Sequence, residues 1–195
     1  VLECAHTLRE AFDEVSVGLP LPEPLTLSVG IAIVHMQENL RTALEYARNA
    51  ERAAKKGGRN ALAVARHTRG MGAEAPTVVR SFADEPIHGR WLRYVTWVRD
   101  DVVPSGLAYE LRELARELRE LKSEAVGHII TVEMHRILDR KQVPTDKRLE
   151  VHKAFAADLK SLGGPRPDAL ETLAHTLIIA KELSWKGKEG EKTHA

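Results

Sequence analysis

Two lysines stand directly before a pair of glycines in the stretch AERAAKKGGRNALAVARH, residues 50–67. The alanine-rich run predicts a helix that ends at Lys55 and Lys56, and either Gly57 or Gly58 is expected to close it in the left-handed conformation. Lysine amines at such a helix end can reach a phosphate group. They can equally remain in solvent and offset the helix dipole, so the spacing alone leaves both interpretations open.

The segment LTLSVGIAIVH, which precedes this helix, predicts a strand with two unlike faces. One face is large and apolar: Leu25, Leu27, Val29, Ile31 and Ile33. The other face is small or polar: Thr26, Ser28, Gly30 and Ala32. We expect helices to pack on the apolar face, and we expect the small face to leave room for a ligand.

Two helices and a second strand must position these features. The segment VLECAHTLREAFDEV predicts a helix from the first residue, and from this start we expect the chain to be a piece of a longer protein. Its apolar face would comprise Val1, Ala5, Leu8, Phe12 and Val15. Asn39 is predicted to cap the lysine-bearing helix. The buried stripe of that helix would comprise Leu40, Ala43, Leu44, Ala47, Ala50 and Ala54. With NALAVAR as the next strand, the order indicates half of an α+β sandwich.

The rest of the chain changes character after this sandwich. PTVVRSF is interpreted as a strand and GRWLRYVTWVRDDVV as a helix with Trp91, Val95 and Val98 inward. Beyond Ser105 the leucine spacing and the breaks at Pro144 and GGPRPDA predict a helical bundle, with Asp168 as the cap of its last helix. The predicted domains are residues 1–66 (sandwich), 67–104 (mixed connector), 105–186 (helical domain) and 187–195 (disordered tail).

The composition sets bounds on function. The chain has 195 residues, a net charge of +1 and one cysteine, Cys4. Gross charge therefore gives no argument for nucleic-acid or membrane binding, and any such binding has to come from a local patch. The apolar runs are too short for a membrane span. A cytoplasmic location is the expectation that fits the cysteine usage.

The strand–helix–strand unit resembles the closing half of nucleotide-cyclase palm domains. In GGDEF diguanylate cyclases the corresponding stretch reads S-x-G-x-A, then a helix with A-x-x-A-x-x-A-K, then G-R-N. The matching positions are Ser28, Gly30, Ala32, Ala47, Ala50, Ala54, Lys55, Gly58, Arg59 and Asn60, with a slightly different alanine spacing. The helical half, with VVPSGLAYELRELARELRELK and EMHRILDRK, is similar to the large subunit of type III CRISPR effector complexes of the Cmr type. The resemblance implies the C-terminal half of a ferredoxin-like palm followed by an α-helical bundle.

The same resemblance implies an antiviral activity. The palm of that family converts ATP to cyclic oligoadenylates when guide RNA has captured target RNA. Its Mg²⁺ or Mn²⁺ ions are held by a Gly-Gly-Asp-Asp hairpin just upstream of the helix with which this chain begins. This sequence contains no Gly-Gly-Asp-Asp, and its Asp100-Asp101 pair is interpreted as an exposed helix end. We therefore expect neither catalytic nor metal-binding residues in the chain, and no activity from the chain alone.

The resemblance implies nucleotide-binding roles for five residues. Lys55 would contact the triphosphate, or Lys56 if the register shifts by one residue. Ser28 and Gly30 would border the nucleotide, with a solvated strand position as the alternative for Ser28. Gly58 completes the set as the glycine of the G-R-N turn, which Arg59 and Asn60 are expected to brace.

Several other residues carry weaker indications. His128 and His135 share a helix face but lack a third zinc ligand. His35 is interpreted as a loop residue at the edge of the site. The tryptophans Trp91, Trp97 and Trp185 are expected in the core or at an interface. An arginine-rich face, comprising Arg112, Arg116, Arg119 and Lys122, could meet RNA or an acidic neighbour, or simply lie in solvent. Family partners would be the small helical subunits and, through the complex, guide and target RNA.

Two other functions stay open at this level. The chain could be a non-catalytic scaffold that binds small subunits and RNA in the same complex. It could also be a fragment of a diguanylate cyclase. This last interpretation is disfavoured, because such proteins usually end shortly after the G-R-N strand, whereas this chain continues with mostly helical sequence.

Overall fold

The computed structural model describes residues 1–20, 25–68, 75–83, 87–121 and 123–184. The helices and strands of these ranges are, in chain order, α1 (Leu2–Ser16), β1 (Val29–Ile33), α2 (Leu40–Lys56), β2 (Ala61–Arg66), β3 (Thr77–Ser81), α3 (Ile87–Arg99), α4 (Leu107–Arg119), α5 (Val126–Arg140), α6 (Thr145–Ser161) and α7 (Pro167–Ser184). The predicted tail, residues 187–195, lies outside the described residues, as do Lys122 and Trp185. In the described part of the chain, no helix combines the length and the apolar character that a bilayer crossing demands.

The chain divides into two compact units, Val1–Leu92 and Arg93–Ala195. The division falls inside α3, upstream of the boundary predicted near residue 104. Its place has a simple cause, since Tyr94 and Trp97 in the second half of α3 are buried in the hydrophobic core of the helical unit.

The first unit contains a sheet in the order β1-β2-β3. β1 runs parallel to β2, with Gly30 opposite Ala63. β2 runs antiparallel to β3, with Ala63 opposite Val79. The predicted α+β class is thus confirmed. The ferredoxin-like arrangement stays a prediction, because a β-α-β-β-α-β unit has four strands and the described residues contain three.

Helix α2 packs against the small face of β1. A Cβ atom built on Gly30 would lie 2.2 Å from the backbone nitrogen of Glu51 and 2.7 Å from the carbonyl oxygen of Ala47. The expectation that the small face leaves room for a ligand is therefore wrong at Gly30. The physical reason is that a helix backbone can approach a strand this closely only where the strand has no side chain.

Alanines extend the same contact across the sheet. Ala50 and Ala54 of α2 form one buried cluster with Ala61, Ala63 and Ala65 of β2. The predicted stripe is confirmed at these two helix positions. At the other end of α2 it is wrong, since the Leu40 side chain is 83% exposed and that of Leu44 is 49% exposed. The helix approaches the sheet through its alanines, and these leucines lie at the margin of that contact.

Helix α1 buries less of its apolar face than its sequence predicts. Leu2 and Ala5 are buried. Val1, Leu8 and Val15 keep more than half of their side-chain exposure. The apolar side chains of α1 are therefore divided between the core and an open surface.

The core of the helical unit contains buried residues from all of its helices, and α4 packs most extensively against α7. Leu107, Leu111 and Leu118 of α4 are buried as predicted, whereas Leu114 is partly buried and Leu121, beyond the end of α4, is exposed. The last helix begins at Pro167, so Asp168 lies inside its first turn. The prediction that Asp168 caps this helix is therefore wrong. Proline suits the first helical position because its missing N–H has no partner to lose there.

A buried polar contact joins α3 to α6. The Tyr94 hydroxyl donates a hydrogen bond of 2.5 Å to Oδ2 of Asp158. Both side chains are almost fully buried, and the Tyr94 ring makes edge contacts with Trp97 and Phe155. This bond supplies a donor to a carboxyl group that solvent does not reach.

Replacing Gly30 with alanine tests the contact between β1 and α2. The added methyl group would meet backbone atoms, so we expect Gly30→Ala to lower the free energy of unfolding by about 1–3 kcal/mol or more. Chemical denaturation of the chain measures this. Gly89→Ala in α3 is the matched control, because a Cβ there meets nothing within 4 Å. Equal stability of the two variants would contradict the close packing at Gly30.

Replacing Tyr94 with phenylalanine tests the buried hydrogen bond. Tyr94→Phe keeps the ring and removes the donor to Asp158, so we expect a loss of about 1–3 kcal/mol in unfolding free energy. The exposed Tyr109 provides the control, and Tyr109→Phe should change stability by less than about 0.5 kcal/mol. A Tyr94→Phe variant as stable as the parent would show that the bond contributes nothing.

Candidate functional site

The end of α2 has the predicted glycine geometry at one of its two candidate positions. Gly57 keeps a φ of −74°, and its N–H donates to the Ala53 carbonyl at 2.9 Å. Gly58 has a φ of +111° and is the left-handed residue that ends the helix. Lys55 and Lys56 thus lie in the last helical turn, directly before the reversal of the chain.

The left-handed conformation continues past Gly58 into the two residues that follow. Arg59 has a φ of 59° and Asn60 a φ of 43°. The turn is tied to the sheet by a hydrogen bond of 2.7 Å from the Phe82 N–H to the Asn60 carbonyl. Their backbone geometry gives Arg59 and Asn60 a direct part in shaping this turn.

Lys55 is paired with a carboxylate on its own helix. Its Nζ lies 2.5 Å from Oε1 of Glu51, one turn earlier, and its side chain remains 57% exposed. The hydrogen bond and charge of Lys55 lower the pKa of Glu51, which is therefore ionised at neutral pH. Lys56 is exposed as well. Both ammonium groups are accessible to a ligand, but a ligand that binds Lys55 would have to displace the Glu51 carboxylate.

An open groove of about 770 Å³ lies between α1, β1 and α2. Its lining is mostly apolar and consists of Leu8, Ala11, Phe12, Val15, Leu27, Ser28, Val29, Gly30, Leu44, Ala47, Arg48 and Glu51. Of the five predicted site residues, Ser28 and Gly30 line this groove. Lys55, Lys56 and Gly58 do not line it, although Lys55 is paired with the lining residue Glu51.

Two charged residues of the groove were missed by the sequence analysis. Arg48 and Glu51 both lie on α2 and both line the groove. The spacing of four between Glu51 and Lys55 is the signal that indicates an ion pair along a helix. Arg48 carried no comparable signal, because an arginine in a charged helix usually faces solvent.

The described residues do not supply a divalent-metal site. No three histidine, cysteine, aspartate or glutamate side chains converge on a cation position within them. Glu51 is the one carboxylate in the groove lining, and it is engaged with Lys55. Asp100 and Asp101 are exposed directly after α3, where Asp100 accepts a hydrogen bond of 3.0 Å from Arg99.

Three other candidate residues in the described ranges, His35, Trp91 and Trp97, do not line the groove. His35 lies in the exposed loop before α2, where its Nδ1 accepts from the Gln37 N–H at 3.2 Å. Trp91 and Trp97 are buried, as expected for core residues.

The arginines of α4 are largely occupied by neighbours. Arg119 pairs with Glu171 of α7 at 2.5 Å, and Arg116 pairs with a glutamate of its own helix. The guanidinium of Arg112 lies over the Tyr109 ring, 5.4 Å from its centroid. This face therefore offers less unpaired positive charge than its sequence suggests.

Comparison with known proteins bears on the first unit. Residues 1–63 match the family model described as Cas10/Cmr2, second palm domain. The match spans α1, β1, α2 and the beginning of β2, and it includes Ser28, Gly30, Lys55, Lys56 and Gly58. No curated protein matches the chain. The resemblance to the palm of the type III CRISPR large subunit is thus confirmed over residues 1–63, which are similar to the second palm domain of the Cas10/Cmr2 type.

Proposed function

We propose that this chain forms a nucleotide-facing part of the palm in the large subunit of a type III CRISPR effector complex. In that complex the palm would make cyclic oligoadenylate from ATP when guide RNA has captured target RNA. One observation carries the proposal. Within the segment that matches the second palm domain, the exposed side chain of Lys55 is paired with Glu51, which lines a groove together with Ser28 and Gly30.

The geometry suggests a division of roles toward ATP. The ammonium group of Lys55 would bind a phosphate oxygen in place of the Glu51 carboxylate, since charge-assisted hydrogen bonds are strong. Lys56 at the same helix end and Arg48 in the groove lining are further cations. The Ser28 hydroxyl can donate to or accept from a ribose or base, because hydroxyl groups do both. Gly58 would let the backbone of the turn come close to a phosphate.

Gly30 would act indirectly. Its missing side chain lets α2 lie against β1, and this close approach holds Glu51 beside the strand that begins directly after Ser28. The distance between the hydroxyl group and the lysine-bearing turn is thereby set by a backbone contact. In this proposal Gly30 is a positioning residue.

Divalent metal chemistry is assigned to residues outside this chain. In the parent protein Mg²⁺ or Mn²⁺ is expected to assist phosphoryl transfer. Because the described residues do not present the carboxylates that such an ion requires, we assign them no metal-dependent step. The chain by itself is proposed to be inactive.

A second candidate is a non-catalytic module that binds small helical subunits or RNA within the same complex. The pair formed by Tyr109 and Arg112 on α4 favours it. The Tyr109 side chain is 42% exposed, and the Arg112 guanidinium lies over its ring. Tyrosine and arginine are both enriched where proteins bind partners.

Lys55→Ala tests the leading proposal in the assembled effector complex. Loss of the phosphate contact should reduce the rate of cyclic oligoadenylate formation from ATP about tenfold or more, since charge-assisted bonds contribute about 1.5–3 kcal/mol. Target-RNA binding should not change. Arg41→Ala on the same helix is the control, because its side chain is 89% exposed. Unchanged synthesis by Lys55→Ala would remove Lys55 from the site and favour the second candidate.

Glu51→Gln tests whether the ion pair competes with ATP. The variant releases Lys55, so the apparent KM for ATP should fall, by up to about fivefold because exposed ion pairs are weak. Lys55→Ala, which removes the phosphate contact, should instead raise the KM for ATP. Glu45→Gln, which removes the carboxylate that pairs with Arg41, is the matched control and should leave the KM unchanged. A higher KM in Glu51→Gln would show that the carboxylate orients Lys55 for ATP.

A further inference from the structure

Two histidines of the helical unit are in ring contact across a pair of helices. His135 of α5 and His152 of α6 have ring centroids 4.3 Å apart, with their planes tilted by 51°. His135 is exposed, whereas the side chain of His152 keeps 16% of its exposure. Nε2 of His152 is fully buried and has no hydrogen-bond partner. A half-buried imidazole with a fully buried Nε2 therefore lies directly against a second imidazole that solvent can reach.

The carboxylate of Asp139 lies near both His152 and the permanently charged Arg148. Oδ1 of Asp139, one turn after His135, lies 3.9 Å from Nε2 of His152, which is beyond hydrogen-bond distance. The same oxygen lies 3.6 Å from Nη1 of Arg148 on α6. Asp139 thus faces two groups of α6, one always charged and one able to become charged.

These neighbours act on His152 in opposite directions. Burial lowers the pKa of His152, and the neighbouring His135 and Arg148 lower it further, while the charge of Asp139 raises it. The balance favours the neutral imidazole. At neutral pH His152 then contributes an uncharged ring to the contact between α5 and α6.

We propose that this cluster makes the packing of α6 on α5 sensitive to protons. In mild acid, a proton on His152 would place a positive charge in a half-buried position, next to His135 and Arg148, with the carboxylate of Asp139 to compensate. The α5–α6 contact should then weaken as the pH falls. The proposal does not depend on ATP binding at the palm segment.

The sign of the pH dependence follows from linkage. A histidine whose pKa is lowered in the folded state binds protons more readily in the unfolded chain. The stability that it contributes is fully present above its unfolded pKa, about 6.5. It is lost as the pH falls from there through the folded-state pKa. Burial also lowers the pKa of His175 on α7, so part of any acid sensitivity belongs to that residue.

NMR titration of the histidine ring protons in the full chain tests the proposal directly. The midpoint of His152 should lie below about 6.5. It should rise in His135→Gln, which removes a like charge, and fall further in Asp139→Asn, which removes the opposite charge. His128→Gln, an exposed position on the same helix, is the control and should leave the midpoint unchanged. If His135 and Asp139 contributed only packing, the two variants would not move the His152 midpoint in opposite directions.

Thermal unfolding between pH 7.5 and 5 supplies the second measurement. The parent chain should lose thermal stability over this range, and His152→Gln should lose less of it than His128→Gln does. A His152 midpoint at or above the ordinary value would overturn the proposal. So would midpoints that do not move in His135→Gln and Asp139→Asn. If His152→Gln does not fold, the titrations of the other two variants decide the question.

Discussion

The approach of α2 to β1 at Gly30 is the constraint on which the rest of the palm segment depends. The backbone of Glu51 occupies the space that any side chain at Gly30 would need. This contact and the alanine cluster beside it fix the helix on the sheet. They thereby determine where Glu51, Lys55 and the glycine turn lie relative to Ser28. The electrostatics of the candidate site thus follow from a steric requirement at one position.

The local features of this region could be predicted from sequence because each depends on residues close in the chain. Asn39 caps α2 by accepting from the Arg41 N–H at 2.8 Å, as its residue type indicates. A glycine after the lysines was expected to be left-handed, and Gly58 is. The strand at Thr77–Ser81 and the α4 leucines were also predictable, because short-range periodicity specifies them.

The incorrect predictions concern which side of a helix or strand its neighbour packs against. The alternation of β1 distinguishes two faces but does not say which one receives α2, and size alone suggested the wrong choice. Leu40 and Leu44 continue the helical stripe in sequence, yet they lie beyond the alanine contact. Periodicity describes one element, whereas burial depends on the length and position of its partner. The contact of His135 with His152 was equally out of reach, because it joins two helices whose pairing the sequence does not specify.

In the turn after α2, the residue that strains the backbone also carries a positive charge. Non-glycine residues in the left-handed region cost about 1–3 kcal/mol each, although asparagine tolerates it better than most residues do. Arg59 adopts this conformation without that tolerance. A glycine there would relieve the backbone and also remove a guanidinium group from the neighbourhood of Lys55 and Lys56. Variants selected only for thermal resistance would therefore tend to lose positive charge at this turn, whereas variants selected for anion binding would keep the strain.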